Sequence, residues 1–144
     1  MPARDQHHAQ VRKALVKDGW AITHDPLRLR WGQRDLFVDL GAEQLLAAEK
    51  SEKKIAVEIK SFAGPSLIDD LEKAIGQFVL YHDVLANLEP ERVLYLAVTE
   101  FIYLDLFAEP VGQLLLEKRR IRLMVFNPET EVIQQWTPEP PIVR

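Results

Sequence analysis

The chain has 144 residues and a formal net charge of −4, with 47% hydrophobic and 28% charged residues. These values predict one globular domain over residues 1–144, in which the proline-rich end, about 137–144, is a flexible tail. The absence of cysteine excludes a disulfide framework, a thiolate metal site and a cysteine nucleophile. Because no apolar run has the length of a membrane span and no signal peptide is recognisable, we expect a cytoplasmic protein without a membrane partner.

The first part of the chain predicts one helix followed by three strands. His8, Val11 and Leu15 recur at helical spacing within a helix from about Arg4 to Asp18. The strand segments are Trp20–His24 with Leu27–Trp31 around the Asp25-Pro26 turn, then Leu36–Leu40, then Ile55–Phe62. Asp39 therefore lies on the second strand and Glu58 on the third.

The second part predicts a long helix, a buried strand and an α-β-β extension. Ser66 is a candidate N-cap, and the helix should run to about Leu85. Its expected buried stripe is Leu71, Ile75, Phe78 and Leu85. The remaining segments are a strand at Val93–Val98, a helix around Leu114–Leu116 and strands at Ile121–Phe126 and Val132–Trp136. The order α-β-β-β-α-β plus α-β-β predicts an α/β protein with helices layered on a central mixed sheet.

The strand around Glu58 carries the strongest chemical signal. Ile55, Val57 and Ile59 form one apolar row, so Glu58 and Lys60 project together from the opposite face. A carboxylate that helps to hold a divalent metal, beside a lysine that donates to water or phosphate, suits phosphodiester hydrolysis. The alternative is a solvated ion pair on a half-exposed strand, which amphipathic strands produce often.

The preceding strand adds acidic candidates. Asp39 precedes Glu58 by nineteen positions, and Glu43 has the same parity as Asp39 if the strand continues through Gly41. Carboxylates gathered on one surface repel unless a cation neutralises them. Oxygen ligands without cysteine favour Mg²⁺ or Mn²⁺, held by Asp39 and Glu58 with Glu43 as a further candidate. A bulge at Gly41 would instead re-aim Glu43.

Two basic groups are candidates for contact with nucleic acid. The acidic net charge argues against a strong sequence-independent polyanion binder, yet it leaves nucleic acid open as a substrate. Arg28, Arg30 and Arg34 lie near the acidic residues in sequence and are the predicted DNA contacts. A second basic group is formed by Lys118, Arg119, Arg120 and Arg122. The alternative for both groups is a solvated face.

The order of elements, with an acidic residue on the second strand and Glu-x-Lys on the third, resembles the PD-(D/E)xK superfamily. This resemblance implies the fold of restriction endonucleases and a nuclease-like site. Gln77 and Tyr81 match the Gln-x-x-x-Tyr helix motif of its RecB-type branch, which implies roles in orienting the nucleophile or the lysine. His8 occupies the place where related proteins carry a glutamate, and it is a further metal candidate. The chain departs from the proline-aspartate pair that is the signature of the superfamily, because Val38, not proline, precedes Asp39.

Nearly the whole chain is similar to the XisH family of fdxN element excision controlling factor proteins, which is associated with cyanobacteria. The similarity is carried by Lys17-Asp18-Gly19-Trp20, Asp39–Glu43, Ala48-Glu49-Lys50, Ile55–Phe62, Gly76-Gln77 and Tyr95-Leu96-Ala97. It implies programmed excision of a DNA element together with a recombinase and an XisI-like partner, and a second copy of the chain is a further candidate partner.

Two hypotheses follow, since the fold alone does not specify function. One is a metal-dependent nuclease that uses Asp39, Glu58, Lys60, Gln77 and Tyr81. The other is a non-catalytic accessory factor that retains the nuclease fold.

Overall fold

The structure, a computed structural model, describes residues 5–46 and 51–143. Its helices are α1 His8–Lys17, α2 Leu67–Leu88, the short α3 Glu100–Ile102 that runs into a π-helix at Tyr103–Phe107, and α4 Pro110–Glu117. Its strands are β1 Ala21–His24, β2 Leu27–Trp31, β3 Arg34–Val38, β4 Leu40–Leu46, β5 Ser51–Ile59, β6 Arg92–Thr99, β7 Leu123–Asn127 and β8 Val132–Thr137.

Six strands form the main sheet, in the order β1-β4-β5-β6-β7-β8. The pairs β5-β6 and β6-β7 are parallel and the others are antiparallel, so the sheet is mixed. The two core clusters lie on opposite faces of this sheet, with α1 packed in one and α2 in the other. The predicted mixed α/β architecture, a central sheet flanked by helices, is confirmed.

The strand order along the chain differs from the prediction. Five strands, not three, lie between α1 and α2, because β2 and β3 leave the main sheet and pair only with each other. This separate ribbon joins the α2 face through Leu27, Leu29 and Val38. The remaining three strands of this region, β1, β4 and β5, keep the predicted order in the main sheet.

Asp39 lies at a bend between β3 and β4, not within a strand as predicted. The reason is the change of sheet: Val38 is paired with Leu27 in the ribbon, whereas Leu40 is paired with Val57 in the main sheet. The backbone must turn between these two residues. The bend places Asp39 beside β5 without using it in either ladder.

The long helix α2 starts where its capping residue predicts. The hydroxyl of Ser66 accepts a hydrogen bond from the backbone N–H of Asp69 over 3.2 Å, which satisfies one N–H of the first turn. Leu71, Phe78 and Leu85 are buried as predicted, and Ile75 is half-buried at the edge of the same cluster. The helix lies across β6 and therefore covers the face of the sheet from which Glu58 projects.

The C-terminal segment, predicted as a flexible tail, contacts the sheet. The Tyr95 hydroxyl donates to the carbonyl oxygen of Pro138 over 2.6 Å. Further along, Val143 and Glu52 exchange two backbone hydrogen bonds of 2.7 and 2.9 Å. None of the described helices is long and apolar enough to cross a membrane.

Candidate functional site

Asp39 and Glu58 meet where β4 begins and β5 ends. The backbone N–H of Asp39 donates to Glu58 Oε1 over 3.1 Å, and the N–H of Ile59 donates to Asp39 Oδ2 over 2.8 Å. Each carboxylate is therefore held by the backbone of the other strand. The bend at Asp39 makes this exchange feasible, because the backbone N–H of Asp39 is not used in a strand ladder and its carboxylate is turned towards β5.

Glu58 is a buried acid rather than a solvated one. Only 7% of the residue is exposed, since it projects from β5 towards α2 on the same face as Ala56. Burial, followed by the negative charge of Asp39, raises the pKa of Glu58 to about 8, and the positive charge of Lys60 opposes this rise. The pair therefore favours a proton or a cation at neutral pH.

Lys60 links the acidic pair to solvent. Its Nζ lies 3.7 Å from Glu58 Oε2, and about a third of the side chain is exposed. Its backbone N–H donates to the carbonyl of Ala97 over 3.1 Å, so the chain stays in register with β6 beyond the end of β5. Lys60 also lines a cavity of about 270 Å³ together with Ser61 and Lys73. An ammonium group thus lies between the buried carboxylates and an opening large enough for a substrate group.

Gln77 and Tyr81 lie on α2 and contact each other. The Gln77 amide donates to the Tyr81 hydroxyl oxygen over 3.0 Å. Burial raises the pKa of Tyr81; the hydrogen bond from Gln77 opposes the rise, and the charges of Glu58 and Asp39 add to it. Gln77 and Tyr81 are thus joined to each other on α2, and their roles in orienting the nucleophile or the lysine stay predictions.

Glu43 is not brought to the acidic pair. It pairs in register with Lys54, four residues along β4 from Asp39, and accepts from Nη2 of Arg92 over 3.3 Å. Lys54 Nζ lies 4.0 Å from the same carboxylate. These contacts neutralise Glu43 within an ion-pair network in the middle of β4, away from Asp39 and Glu58. The predicted convergence of three carboxylates is therefore wrong for the described residues.

His8 also lies in a different environment. Its Nε2 is 2.8 Å from Asp25 Oδ1, and Arg12 donates to the other oxygen of Asp25 over 2.7 Å. These contacts join α1 to the start of the ribbon, and the structure shows none between His8 and Glu58. His8, which takes the place of the first-helix glutamate of related proteins, therefore pairs with Asp25 and does not join Asp39 and Glu58.

An acidic residue that the sequence analysis missed, Asp5, comes closer to the site. It accepts a hydrogen bond from the Ser61 hydroxyl and lines the same cavity as Lys60. Asp5 precedes α1, although the predicted helix begins at about Arg4 and Asp5 lies three positions before His8. No spacing in the sequence signals its proximity to β5, and only the packing of the N-terminal segment shows it.

Asp39 and Glu58 suit a divalent metal, although they form a small donor set. In the described part of the chain no three His, Asp or Glu side chains are close enough to form a metal site. Mg²⁺ nevertheless binds commonly through one or two carboxylates, with water and substrate phosphate as its other ligands. Burial, followed by the charge of Asp39, raises the pKa of Glu58 although Lys60 opposes the rise, and a divalent cation would offset the negative charge that remains. The two residues therefore fit Mg²⁺ or Mn²⁺.

The predicted DNA contacts lie on the ribbon, where two of them are already paired. Arg28 makes two hydrogen bonds to Asp35, of 3.1 and 3.2 Å, and Arg30 makes a third of 3.3 Å. The Arg28 guanidinium accordingly holds the pKa of Asp35 below its ordinary value. Arg34 pairs in register with Trp31 at the exposed end of the ribbon. Asp35 thus reduces the positive charge that this surface offers to phosphate.

Comparison with known proteins identifies the family. The family model described as XisH protein matches residues 1–134. An XisH family protein from Nostoc punctiforme PCC 73102, known as a crystal structure, is 39% identical, with a TM-score of 0.81 over 92% of this chain and 98% of that one. A crystal structure of an fdxN element excision controlling factor protein from Anabaena variabilis is also 39% identical, with a TM-score of 0.82 over 93% of this chain and 99% of that one.

No curated protein matches the chain. The family model covers all the residues that build the acidic site, from Asp5 to Tyr81, and the two solved structures share the fold over nearly their whole length. The similarity to the XisH family found in the sequence is thereby confirmed, and the chain belongs to that family.

Proposed function

We propose that this protein is a divalent-metal-dependent, nuclease-like factor that acts on DNA during excision of an element. The observation that carries the proposal is the buried Glu58 carboxylate, held against Asp39 and 3.7 Å from the ammonium of Lys60. A relative that shares the fold is named as an fdxN element excision controlling factor, which supports DNA as the setting. The proposal includes a recombinase and an XisI-like protein as partners.

The nuclease part of the proposal rests on the order of functional groups. An acid at the entry to β4, Glu-x-Lys at the end of β5 and Gln-x-x-x-Tyr on α2 follow the arrangement of restriction-endonuclease-like sites. Asp39 and Glu58 would hold Mg²⁺ or Mn²⁺, which when bound supplies a Lewis acid that offsets the charge of a phosphodiester. A structural role would not require two carboxylates to meet below a half-exposed lysine.

The chain's own residues then have separate tasks. The Lys60 ammonium donates to a phosphate oxygen or to the attacking water at the mouth of the cavity. Tyr81, held by a hydrogen bond from the Gln77 amide, would orient the nucleophile or the lysine through its hydroxyl. The backbone N–H groups of Asp39 and Ile59 fix the two carboxylates, so that neither has to reorganise when a cation binds.

One observation favours a second function, that of a non-catalytic accessory factor. Among the described residues, only two carboxylates are joined at the site, while Glu43 and His8 are engaged in other ion pairs. A protein that keeps the nuclease fold to bind DNA or a partner would tolerate such a reduced set of ligands.

Cleavage of linear, nicked and branched DNA by the purified protein tests the proposal directly. We expect Mg²⁺- or Mn²⁺-dependent cleavage that Glu58→Gln abolishes and that Glu43→Gln retains. Glu43 is the matched control, because it is an acid of the same sheet outside the site. Absence of cleavage on every substrate, with and without an XisI-like partner, would favour the accessory factor.

A further inference from the structure

The second basic group, Lys118 to Arg122, forms the turn between α4 and β7. The N–H of Arg119 donates to the carbonyl of Leu116 over 3.1 Å, and the N–H of Arg120 donates to that of Leu115 over 2.9 Å. This pair of bonds is the Schellman arrangement that ends many helices. It leaves Arg119 in the left-handed region, with φ of +55°.

Arginine is an unusual choice for the position of Arg119. Glycine is preferred there, because a side chain is strained in the left-handed region and glycine has none. The helix end by itself would therefore be more stable with glycine.

The side chains of this turn converge on a cavity beside α2. Arg119, Arg120 and Arg122 line it together with His82 of the helix, and its volume is about 230 Å³. The His82 ring lies parallel to that of Phe78, with centroids 6.2 Å apart, so the imidazole is held along the wall of the cavity. Its other lining residues are Phe78, Val79 and Asp83.

The lining of this cavity carries more positive than negative charge. Elsewhere arginines are matched to carboxylates: Arg12 to Asp25, Arg28 to Asp35. Within residues 5–46 and 51–143, none of the three arginines at the cavity forms an ion pair, and Asp83 is the single carboxylate in its lining. Several guanidinium groups with free donors around one opening suit a phosphate, which accepts such hydrogen bonds in pairs.

The position of the cavity favours a phosphate of a nucleic acid over a free anion. Glu58 pairs in register with Leu96 of β6, and Leu96 pairs with Leu123, the residue after Arg122. The backbones at Glu58 and Leu123 are therefore two strand spacings apart, about 10 Å. The cavity beside Lys60 and the arginine cavity are both lined in part by α2, so one DNA molecule is long enough to contact both.

We propose that Arg119, Arg120, Arg122 and His82 form a binding site for a backbone phosphate of DNA, separate from the acidic site. The identity of the ligand as DNA rests on the proposed function, whereas the site itself requires neither metal nor cleavage. It anchors the nucleic acid beside α2 while the phosphodiester near Lys60 is presented to Asp39 and Glu58.

The experiment measures binding of a fluorescein-labelled DNA duplex by anisotropy, in EDTA and over a salt titration. Arg119→Gly and Arg122→Gln should each weaken binding several-fold and lower the salt slope by about one. Arg119→Gly should melt at or above the wild-type temperature, because glycine suits the left-handed position. Arg12→Gln is the matched control, because Arg12 is an exposed arginine already paired with Asp25 and is not among the predicted DNA contacts, so its replacement should change affinity less.

Wild-type affinity and salt slope in both cavity variants would overturn the proposal, as would a larger loss in Arg12→Gln. Cleavage with Mg²⁺ is measured separately, so binding without cleavage removes the nuclease function and leaves the phosphate site standing. If the wild-type protein binds no duplex, but inorganic phosphate raises its melting temperature and fails to do so in Arg119→Gly, the site takes free phosphate and its assignment to DNA is wrong.

Discussion

Asp39 and Glu58 are held to each other from both sides, since the Asp39 N–H donates to the Glu58 carboxylate while the Asp39 carboxylate accepts from the N–H that follows Glu58. Such reciprocal bonds hold two like charges together that would otherwise repel. Burial, followed by the charge of Asp39, raises the pKa of Glu58 to about 8. This one relationship gives rise to predictions about metal affinity and about pH.

Mn²⁺ should bind to the wild-type protein and raise its melting temperature, because a ligand that binds only the folded state stabilises it by mass action. Glu58→Gln should remove this shift while the protein stays folded, since the amide keeps the shape but not the charge. Calorimetric titration with Mn²⁺ checks the affinity. Glu43→Gln should keep the wild-type shift, and equal Mn²⁺ affinity in wild type and Glu58→Gln would exclude the site.

Without metal, stability should fall as pH rises from the ordinary glutamate range to about 8. Because the pKa of Glu58 is raised in the folded state, the folded protein keeps a proton there that the unfolded chain has lost. Each unit of raised pKa is worth about 1.4 kcal/mol, and the loss is complete above the folded pKa. Urea unfolding in EDTA between pH 5 and 9 measures it.

The difference between wild type and Glu58→Gln isolates this contribution, because other titrating groups are common to both proteins. The variant should gain stability relative to wild type as pH increases through this window. A difference that does not change with pH would show that Glu58 is ionised in the folded protein throughout.

Local patterns in the sequence predict some of these features and not others. The Ser66 cap, the buried stripe of α2 and the shared face of Glu58 and Lys60 depend on neighbouring residues, so helix and strand periodicity suffice to find them. The bend at Asp39 depends on which sheet each flanking residue joins, and that is a long-range property. The alternation of apolar and polar residues, taken alone, predicts that the strand continues through Asp39.

Long-range contacts also explain why Glu43 was predicted at the wrong place and why Asp5 was not predicted. Parity along β4 places Glu43 with Asp39, but the partner that neutralises it, Arg92, is 49 residues away in sequence. Asp5 reaches Ser61 across 56 positions. Ion-pair partners of this kind follow from the strand order of the sheet, which hydrophobic patterning does not specify.

Arg92 should be important for stability although it lies far from the site. Its side chain is 2% exposed, and it donates to the backbone carbonyls of Ile55 and Ala42 and to the carboxylates of Glu43 and Glu89. Arg92→Met would leave these acceptors without their donor. Loss of one partner in a buried network of this kind costs about 3 to 5 kcal/mol, which urea unfolding measures.

An exposed ion pair provides the comparison for Arg92. Arg28→Gln removes contacts to Asp35 that face solvent, and such pairs contribute about 0 to 1 kcal/mol. Equal losses in the two variants would mean that Arg92 serves as a surface residue rather than as the link between β4, β5 and β6.

Lys60→Met separates a catalyst from an accessory factor. The Lys60 side chain lies between Glu58 and the cavity, and methionine keeps most of its apolar stem while removing the charge and its donors. If Lys60 acts on the phosphate or the attacking water, its contribution is largest in the transition state. Cleavage should then fall by about 100-fold or more, with little change in melting temperature or DNA affinity.

Lys73→Met is the matched control for this loss, because Lys73 lines the same cavity from α2 but has no ion pair with Glu58. A general loss of positive charge would affect both variants alike and would appear as weaker DNA binding with a smaller salt slope. A catalytic role for Lys60 predicts instead that cleavage falls in Lys60→Met alone, at DNA concentrations that saturate the protein. Excision of an element in cells should fail for the same variant, and normal excision with Lys60→Met would rule out the catalytic function even if Mn²⁺ still binds.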